Sequence, residues 1–446
     1  MAPIADVDVL IIGAGMAGIT AARELQKSGR EVVVLEARNR PGGRIHTVHV
    51  DGAGLDLGAA WIHGAKTNPL SDMAAKAGIT TFRDDDDLVQ IFAADGGMVA
   101  DQAVDDAEAK FNRLLKKAAQ LAEEREEDMS LREAVLAAEP SGLDDALGRF
   151  MLHTYTAFDL GAAPDRLSAW YFDDDEEFKG KDVLLLEGYS RLIEDMARDL
   201  DIRYETVVER IEYGDDGVEV FTNRGSFESY QAVVTLPLGV LRDGDITFDP
   251  RLPKKKRKAI ESAGFGAVNK AVLHFDQAFW PLESHYFGLL DREDGAFPYW
   301  LNTHPFTGRP ILVGIALNEY ATDTMPGKDD AAVIDDALGA LGQAFGDAVT
   351  APREAVITRW NEEPFSRGAY SFAAVGARGK VFRKLAEPVE DVLFFAGEHT
   401  QPRLQRHRAW RLFVGNPGGG RNQGPELGFK GPRIRSRGPN QPFDPA

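Results

Sequence analysis

Three glycines near the N-terminus, Gly13, Gly15 and Gly18, have the spacing G-x-G-x-x-G, and Glu36 follows 23 residues after the first of them. These residue types at this spacing suit the grip on a dinucleotide. The first glycine permits a tight turn, the second lets a pyrophosphate reach the backbone, and the third lets a helix lie close on a strand. A carboxylate at the position of Glu36 can hold ribose hydroxyls. A second chemical group stands far downstream. Lys270 lies in an otherwise apolar run with Val268, Ala271, Val272 and Leu273. A cation there needs a partner or a water. The plainer alternative is an edge-strand lysine that snorkels to solvent.

The elements that must position the glycines are legible around them. "DVDVLII" is a short apolar run suited to a strand buried on both faces. A helical stretch and the strand "EVVVLE" follow, and the helix N-terminus would aim its free N–H groups at phosphates. Strand, turn, helix and strand predict a doubly wound, Rossmann-like α/β fold, leaving NAD and FAD both open.

The choice of FAD comes from a resemblance. "EARNRPGGRIHT", residues 36–47, resembles the second fingerprint of the FAD-dependent amine oxidase family, with Arg40, Gly42, Gly43 and Arg44 in its R-x-G-G-R pattern. The glycines would let the chain pass close to the cofactor, Arg44 would meet phosphate oxygens, and Arg38 joins the implied cofactor set. "DLGAAWIHG" resembles the segment that passes the flavin ring in the polyamine oxidase branch, which assigns Gly58, Ala59, Ala60 and Trp61 to the ring.

The resemblance continues nearly to Thr400. "YETVVERIEYGDDGVEVFTNRGSF" is similar to the adenine-side strand meander, where the backbone of Val208 would meet adenine; by itself Val208 is equally a core residue. "FGAVNKAVLHF" is similar to the stretch whose lysine, here Lys270, holds a water against flavin N5. "RWNEEPFSRGAYSF" supplies Tyr370 as one wall of an aromatic slot over the flavin, with Trp360 as packing. "VLFFAGEHT" brings Glu398 to the ribityl-phosphate region.

The implied architecture is a Rossmann-like FAD-binding domain from residues 1–75, 200–260 and 385–400, intertwined with an α+β substrate domain from 76–199 and 261–384. The implied reaction passes hydride from a polyamine or other aliphatic amine to non-covalent FAD. The imine hydrolyses to an aldehyde, and dioxygen reoxidises the flavin to give H2O2. An amino-acid oxidase of the same superfamily and a flavin-binding product without turnover are the rivals. His63 is a departure, since it stands where some polyamine oxidases carry an acid.

Residues 401–446 change character, with nine Lys/Arg against two Asp/Glu, a charge of +7 that leaves 42 − 69 = −27 for the first 400. The family's pattern after "GEHT", which would supply a helix and the second aromatic wall, is absent. Synonymous codons for "QPRLQRHRAWRLFVG", read one base later, give S-P-D-Y-N-G-T-V-H-G-A-Y-S-S, which fits that pattern. The expectation is therefore a frameshift directly after Thr400, testable by sequencing across that codon.

Composition narrows the remaining classes. The chain has 446 residues, a net charge of −20 and no cysteine, so thiolate metal sites, disulfides and sulfur-tethered cofactors are excluded. The charge argues against nucleic acid and suits cationic small molecules. No apolar run approaches a membrane span, no signal peptide is evident, and no metal is expected. A cytoplasmic enzyme is the resulting expectation. "DDDD" at 84–87 and "DDDEE" at 173–177 read as solvated loops or as an acidic rim that gathers polyamines, and "KKKRK" at 254–258 opens a helix.

Overall fold

The computed structural model describes residues 6–401 apart from 86, 173–177, 378 and 379. The expected acidic loop at 173–177 and the changed segment from 402 onward lie outside the described residues.

Strand β1 (Asp6–Ile12), helix α1 (Met16–Lys27) and strand β2 (Val32–Leu35) form the predicted unit at the N-terminus. β1 is parallel to β2 on one side, with Val9 opposite Val32 and Ile12 opposite Leu35. On its other side it is parallel to the strand Gly225–Val234. Val9, Leu10, Ile11 and Ile12 are each at most 1% exposed, the reason the run carries no polar alternation.

Next come β3 (Val208–Gly214), β4 (Gly217–Thr222) and β5 (Gly225–Val234), an antiparallel meander. In β3 the residues Val208, Ile211 and Tyr213 turn inward, and the register shifts between Val208 and Arg210. Leu393–Phe395 adds in parallel to β5, Ile202–Arg203 to β2, and Thr247–Asp249 to β3, giving eight strands. Stretches far apart in sequence thus share one sheet.

A second sheet has six strands, in the order Glu354–Ile357, β6 (Asn269–His274), Ile311–Ala316, Tyr299–Asn302, Tyr286–Leu289 and Val89–Phe92. β6 is hydrogen-bonded on both sides, so Lys270 is on an inner strand and only 6% exposed. The snorkelling alternative is thereby excluded. The amphipathic pattern after residue 100 becomes helix α2 (Asp101–Glu123), which buries Phe111, Leu114, Ala118 and Ala122.

Two charge runs differ from their simple reading. Asp84 is 5% exposed, because the Trp61 Nε1–H and the Tyr286 hydroxyl donate to it from neighbouring elements, with His285 Nδ1, which accepts from the Asp85 N–H, packed 3.2 Å away. In α3 (Lys254–Ser262), Lys256 is 3% exposed and donates to the carbonyls of Leu385 and Glu387, while Lys254, Lys255 and Lys258 are exposed. Among the described residues no helix is long and apolar enough to cross a membrane.

Candidate active site

One cavity of about 1050 Å³ runs from the β1–α1 turn to the second sheet and to one face of α2. All of the candidate site residues line it except Gly18. The three glycines explain themselves by their surroundings. Gly13 has φ +103°, which an L side chain rarely adopts. A Cβ on Gly18 would lie 1.9 Å from the Gly13 carbonyl oxygen, so its missing side chain serves helix-on-strand packing and keeps it off the cavity wall. A Cβ on Gly15 would meet nothing within 4 Å; the space beside it is open cavity.

Glu36 is 3% exposed at the end of β2, where its carboxylate accepts from the Ala14 N–H at 2.7 Å and the Arg38 N–H at 2.9 Å. The Arg38 side chain pairs with Glu363 and lies over the Phe365 ring at 5.5 Å. Arg40 does not line this cavity. Its guanidinium donates to the carbonyls of Pro41, Gly43 and Ile45, bracing the diglycine bend from behind. Burial, then the neighbouring Arg38, lowers it to about 10.

Arg44 and Glu398 meet across 354 residues, Nη1 to Oε1, at 3.0 Å. Arg44 also donates to the Ala369 carbonyl at 2.6 Å, and Glu398 accepts from the Ser371 hydroxyl at 2.7 Å. Burial pushes the Glu398 carboxyl up, but Arg44, then His399 and Ser371, more than offset it and hold it below the usual range. It is an anion at neutral pH.

Lys270 Nζ donates to the carbonyls of Asp56 at 2.8 Å and Gly58 at 2.6 Å, and lies 5.5 Å from the Trp61 ring centre. Burial lowers its pKa to about 8, against the pull of Asp56. Trp61 is fixed in turn, since its Nε1 donates to Asp84 at 2.7 Å and Phe158 meets it edge-on at 6.0 Å. Ala59 and Ala60 follow Gly58 along the same wall, where a Cβ on Gly58 would strike the Arg44 carbonyl oxygen at 1.8 Å. Trp360 donates through Nε1 to the Leu57 carbonyl at 3.2 Å, which fits packing.

Tyr370 directly precedes the short strand Ser371–Phe372. Its hydroxyl donates to the Phe158 carbonyl, and its ring packs where a Cβ on Gly161 would fall, 2.3 Å from Cε2. Phe158 follows a π-helical turn at Met151–Thr156, an irregularity often found beside functional sites. Beyond Tyr370 the wall is aromatic. Tyr286 and Tyr299 stack with ring centres 5.1 Å apart, and Tyr155 meets Tyr299 edge-on at 5.4 Å.

Sequence reasoning offered an acidic rim at 84–87, of which Asp84 and Asp87 line the cavity, but missed the acids that face it from elsewhere. Asp101, Asp105 and Glu108, at i, i+4 and i+7 on α2, face it together with Asp87, Asp159 and Asp182. Their helical spacing was visible, but not which face of α2 met the cavity. Asp182 accepts from the Gly64 N–H at 2.8 Å and is paired with His63 Nδ1 at 2.5 Å, so an acid does stand beside the departing histidine. Among the described residues no cluster suits a metal ion.

A parallel strand–glycine turn–helix–strand unit and a second sheet with a buried lysine and an aromatic wall share one cavity, and the comparisons assign the class. The chain belongs to the family of flavin containing amine oxidoreductases, whose sequence model matches residues 16–410. It is 35% identical to polyamine oxidase 2 of Arabidopsis thaliana over 410 residues, covering 88% of this chain and 83% of that one. It is also 35% identical over 411 residues to a lysine-specific histone demethylase 1 homolog 2 of Oryza sativa subsp. japonica, covering 88% of this chain but 54% of that protein. Among solved structures, putrescine oxidase bound to putrescine has a TM-score of 0.75 at 20% identity, covering 91% of this chain and 96% of that one. The last comparison bears on the fold. These relationships make the chain a flavin-dependent oxidoreductase acting on CH–NH groups.

Proposed function

We propose that this chain binds FAD non-covalently and oxidises an aliphatic polyamine to an imine and then an aldehyde, with dioxygen as acceptor and H2O2 as product. The observation that carries the reading is the continuity of one cavity, from the glycine turn and Glu36, past Lys270 and Tyr370, to an acidic face. The nucleotide half would comprise 1–75, 200–260 and 385–400, with 76–199 and 261–384 forming the substrate half.

The residues present fit the cofactor. The open space beside Gly15 suits a pyrophosphate against the start of α1, and Glu36 suits the ribose. Gly43 would give the cofactor room, the Val208 backbone would meet adenine, and Arg44 with Glu398 would reach the ribityl-phosphate region. When bound, the flavin supplies the two-electron acceptor. Tyr370 and Trp61 would restrict the amine to one approach, and this apolar wall disfavours its charged form. Lys270, fixed on two carbonyls, would hold a water at the ring's reacting edge. The acidic residues beyond the aromatic wall would hold a second, still charged ammonium.

The same acids count against an amino-acid oxidase. A substrate carboxylate entering between Asp105, Glu108, Asp159 and Asp182 meets like charge. A flavin-binding product without turnover keeps one supporting observation: Tyr370 is the aromatic wall in hand, and the sequence after Thr400 departs from the pattern that would supply its partner.

The test is a peroxide-coupled panel of spermidine, putrescine, a monoamine and a methylated-lysine peptide. It is run on this chain and on one carrying the one-base-shifted reading after Thr400. Yellow protein that bleaches anaerobically with spermidine is the expected result. Yellow protein that no amine bleaches, in both versions, overturns the oxidase reading, and protein that stays colourless in excess FAD overturns cofactor binding too.

A further inference from the structure

Lys270 has a neighbour to which the proposed chemistry gives no role. The carbonyl that holds its ammonium at 2.8 Å belongs to Asp56, whose own carboxylate accepts from the Thr47 hydroxyl at 2.5 Å and from the Tyr189 N–H at 3.0 Å. Thr47 lies on the antiparallel partner of the Asp56 strand, directly opposite it, and Tyr189 precedes the helix Ser190–Ala197. One residue therefore ties together the segment leading to Trp61, the glycine-tyrosine turn and the lysine, the first two through its side chain and the last through its carbonyl.

Thr47 and the Tyr189 N–H suffice to fix the position of Asp56, and either would be satisfied by an amide oxygen. The negative charge is surplus to that structural duty. The Lys270 ammonium sits on the main-chain carbonyl of the same residue and leaves water on a strand bonded on both sides. The ionisable groups facing the pair are few. Tyr189 feels Asp56 and is held neutral, its phenol pushed well above the usual range by burial and then by that carboxylate. The Trp61 ring offers Lys270 its face and cannot titrate.

We propose that Asp56 is a positioning residue for Lys270, its carboxylate keeping the ammonium charged and pinned to the carbonyls of Asp56 and Gly58. This rests on the reading above only for where the flavin ring lies. The energetics agree in direction. Burial raises Asp56 to about 6, resisted by Thr47, the Tyr189 N–H and Lys270, while burial lowers Lys270 to about 8, resisted by Asp56. Both are charged between about 6 and about 8. There a fixed positive charge beside a reacting centre stabilises negative charge as it develops.

The decisive measurement needs no flavin. In the full chain labelled with 13C at lysine Cε, the Lys270 signal is assigned by its loss in Lys270→Met. Its titration midpoint should fall by about one unit in Asp56→Asn. It should stay put in Thr47→Val, which removes a contact but no charge. An unmoved or raised midpoint in Asp56→Asn, or an equal shift in Thr47→Val, overturns the proposal. Should Asp56→Asn fail to fold, the pair is read from its other side: the Asp56 carboxyl must titrate higher in Lys270→Met than in wild type, and an unchanged value also overturns it. In FAD-loaded protein reduced by light, reoxidation by dioxygen should slow about fivefold at pH 8 in Asp56→Asn and little at pH 6. Because neither arm uses an amine, a failed amine panel leaves this result standing or falling by itself.

Discussion

The three fingerprint glycines lack a side chain for different reasons, and the differences predict different losses. Gly15→Ala fills empty cavity, so the unfolding midpoint of the flavin-free chain should move by no more than about 2 °C, while FAD binding weakens at least about tenfold. Gly18→Ala drives a Cβ against the Gly13 carbonyl and should cost about 1–3 kcal/mol of stability with or without FAD. Urea unfolding and flavin titration of both variants check this, and equal behaviour would contradict it. The glycine pattern was legible in sequence because all three reasons act within one turn of chain. Asp84 was not. As part of a run of four acids it reads as surface, yet it accepts from Trp61 and Tyr286, residues 23 and 202 positions away.

At the scale of elements, a short turn and a helix do work that their sequences understate. Gly161, at φ +70°, ends the helix Ala157–Leu160 directly against the Tyr370 ring. Gly161→Ala should displace that ring, lowering the anaerobic rate of flavin reduction by amine at least about tenfold while flavin affinity holds. Stopped-flow reduction and a flavin titration separate the two. In α3, Lys256 bonds the end of the helix Val381–Ala386 and lies 3.8 Å from the centre of the Phe395 ring, joining three elements. Burial lowers it to about 7, against Glu387, whereas the unfolded chain keeps its ordinary value near 10.5. The unfolded state therefore binds more protons between those values, so stability rises with pH across that window and is lost as pH falls toward 7. The gain from pH 7 to 9 should be about 2 kcal/mol, and Lys256→Met should abolish it. Urea unfolding at the two pH values measures the difference. The basic run announced a helix start; which lysine turned inward depended on where residues 385–395 came to lie.

Over the whole molecule, the net charge of −20 has a local expression in the acids that face the cavity from α2 and its neighbours. Attraction of that kind is screened by salt. For a diamine, kcat/KM should fall severalfold between about 50 and 500 mM NaCl, and less for a monoamine of equal length. The double variant Asp105→Asn, Glu108→Gln should flatten the diamine's dependence. Identical salt curves for diamine and monoamine would remove the acidic face from substrate capture.

The sequence alone determined what is written in adjacent residues. That covers the strand–turn–helix with Glu36 at its end, the diglycine bend, the alternating meander, the long amphipathic helix and the absence of cysteine. Each is local because backbone geometry and burial period act over one or two elements. The tertiary structure decided which distant groups became neighbours. It set Arg44 against Glu398, Lys270 on the carbonyls of Asp56 and Gly58, Tyr370 against Gly161, and the acids of α2 toward the same cavity. Such pairings follow from how three separated stretches close one sheet, and no periodicity along the chain encodes them.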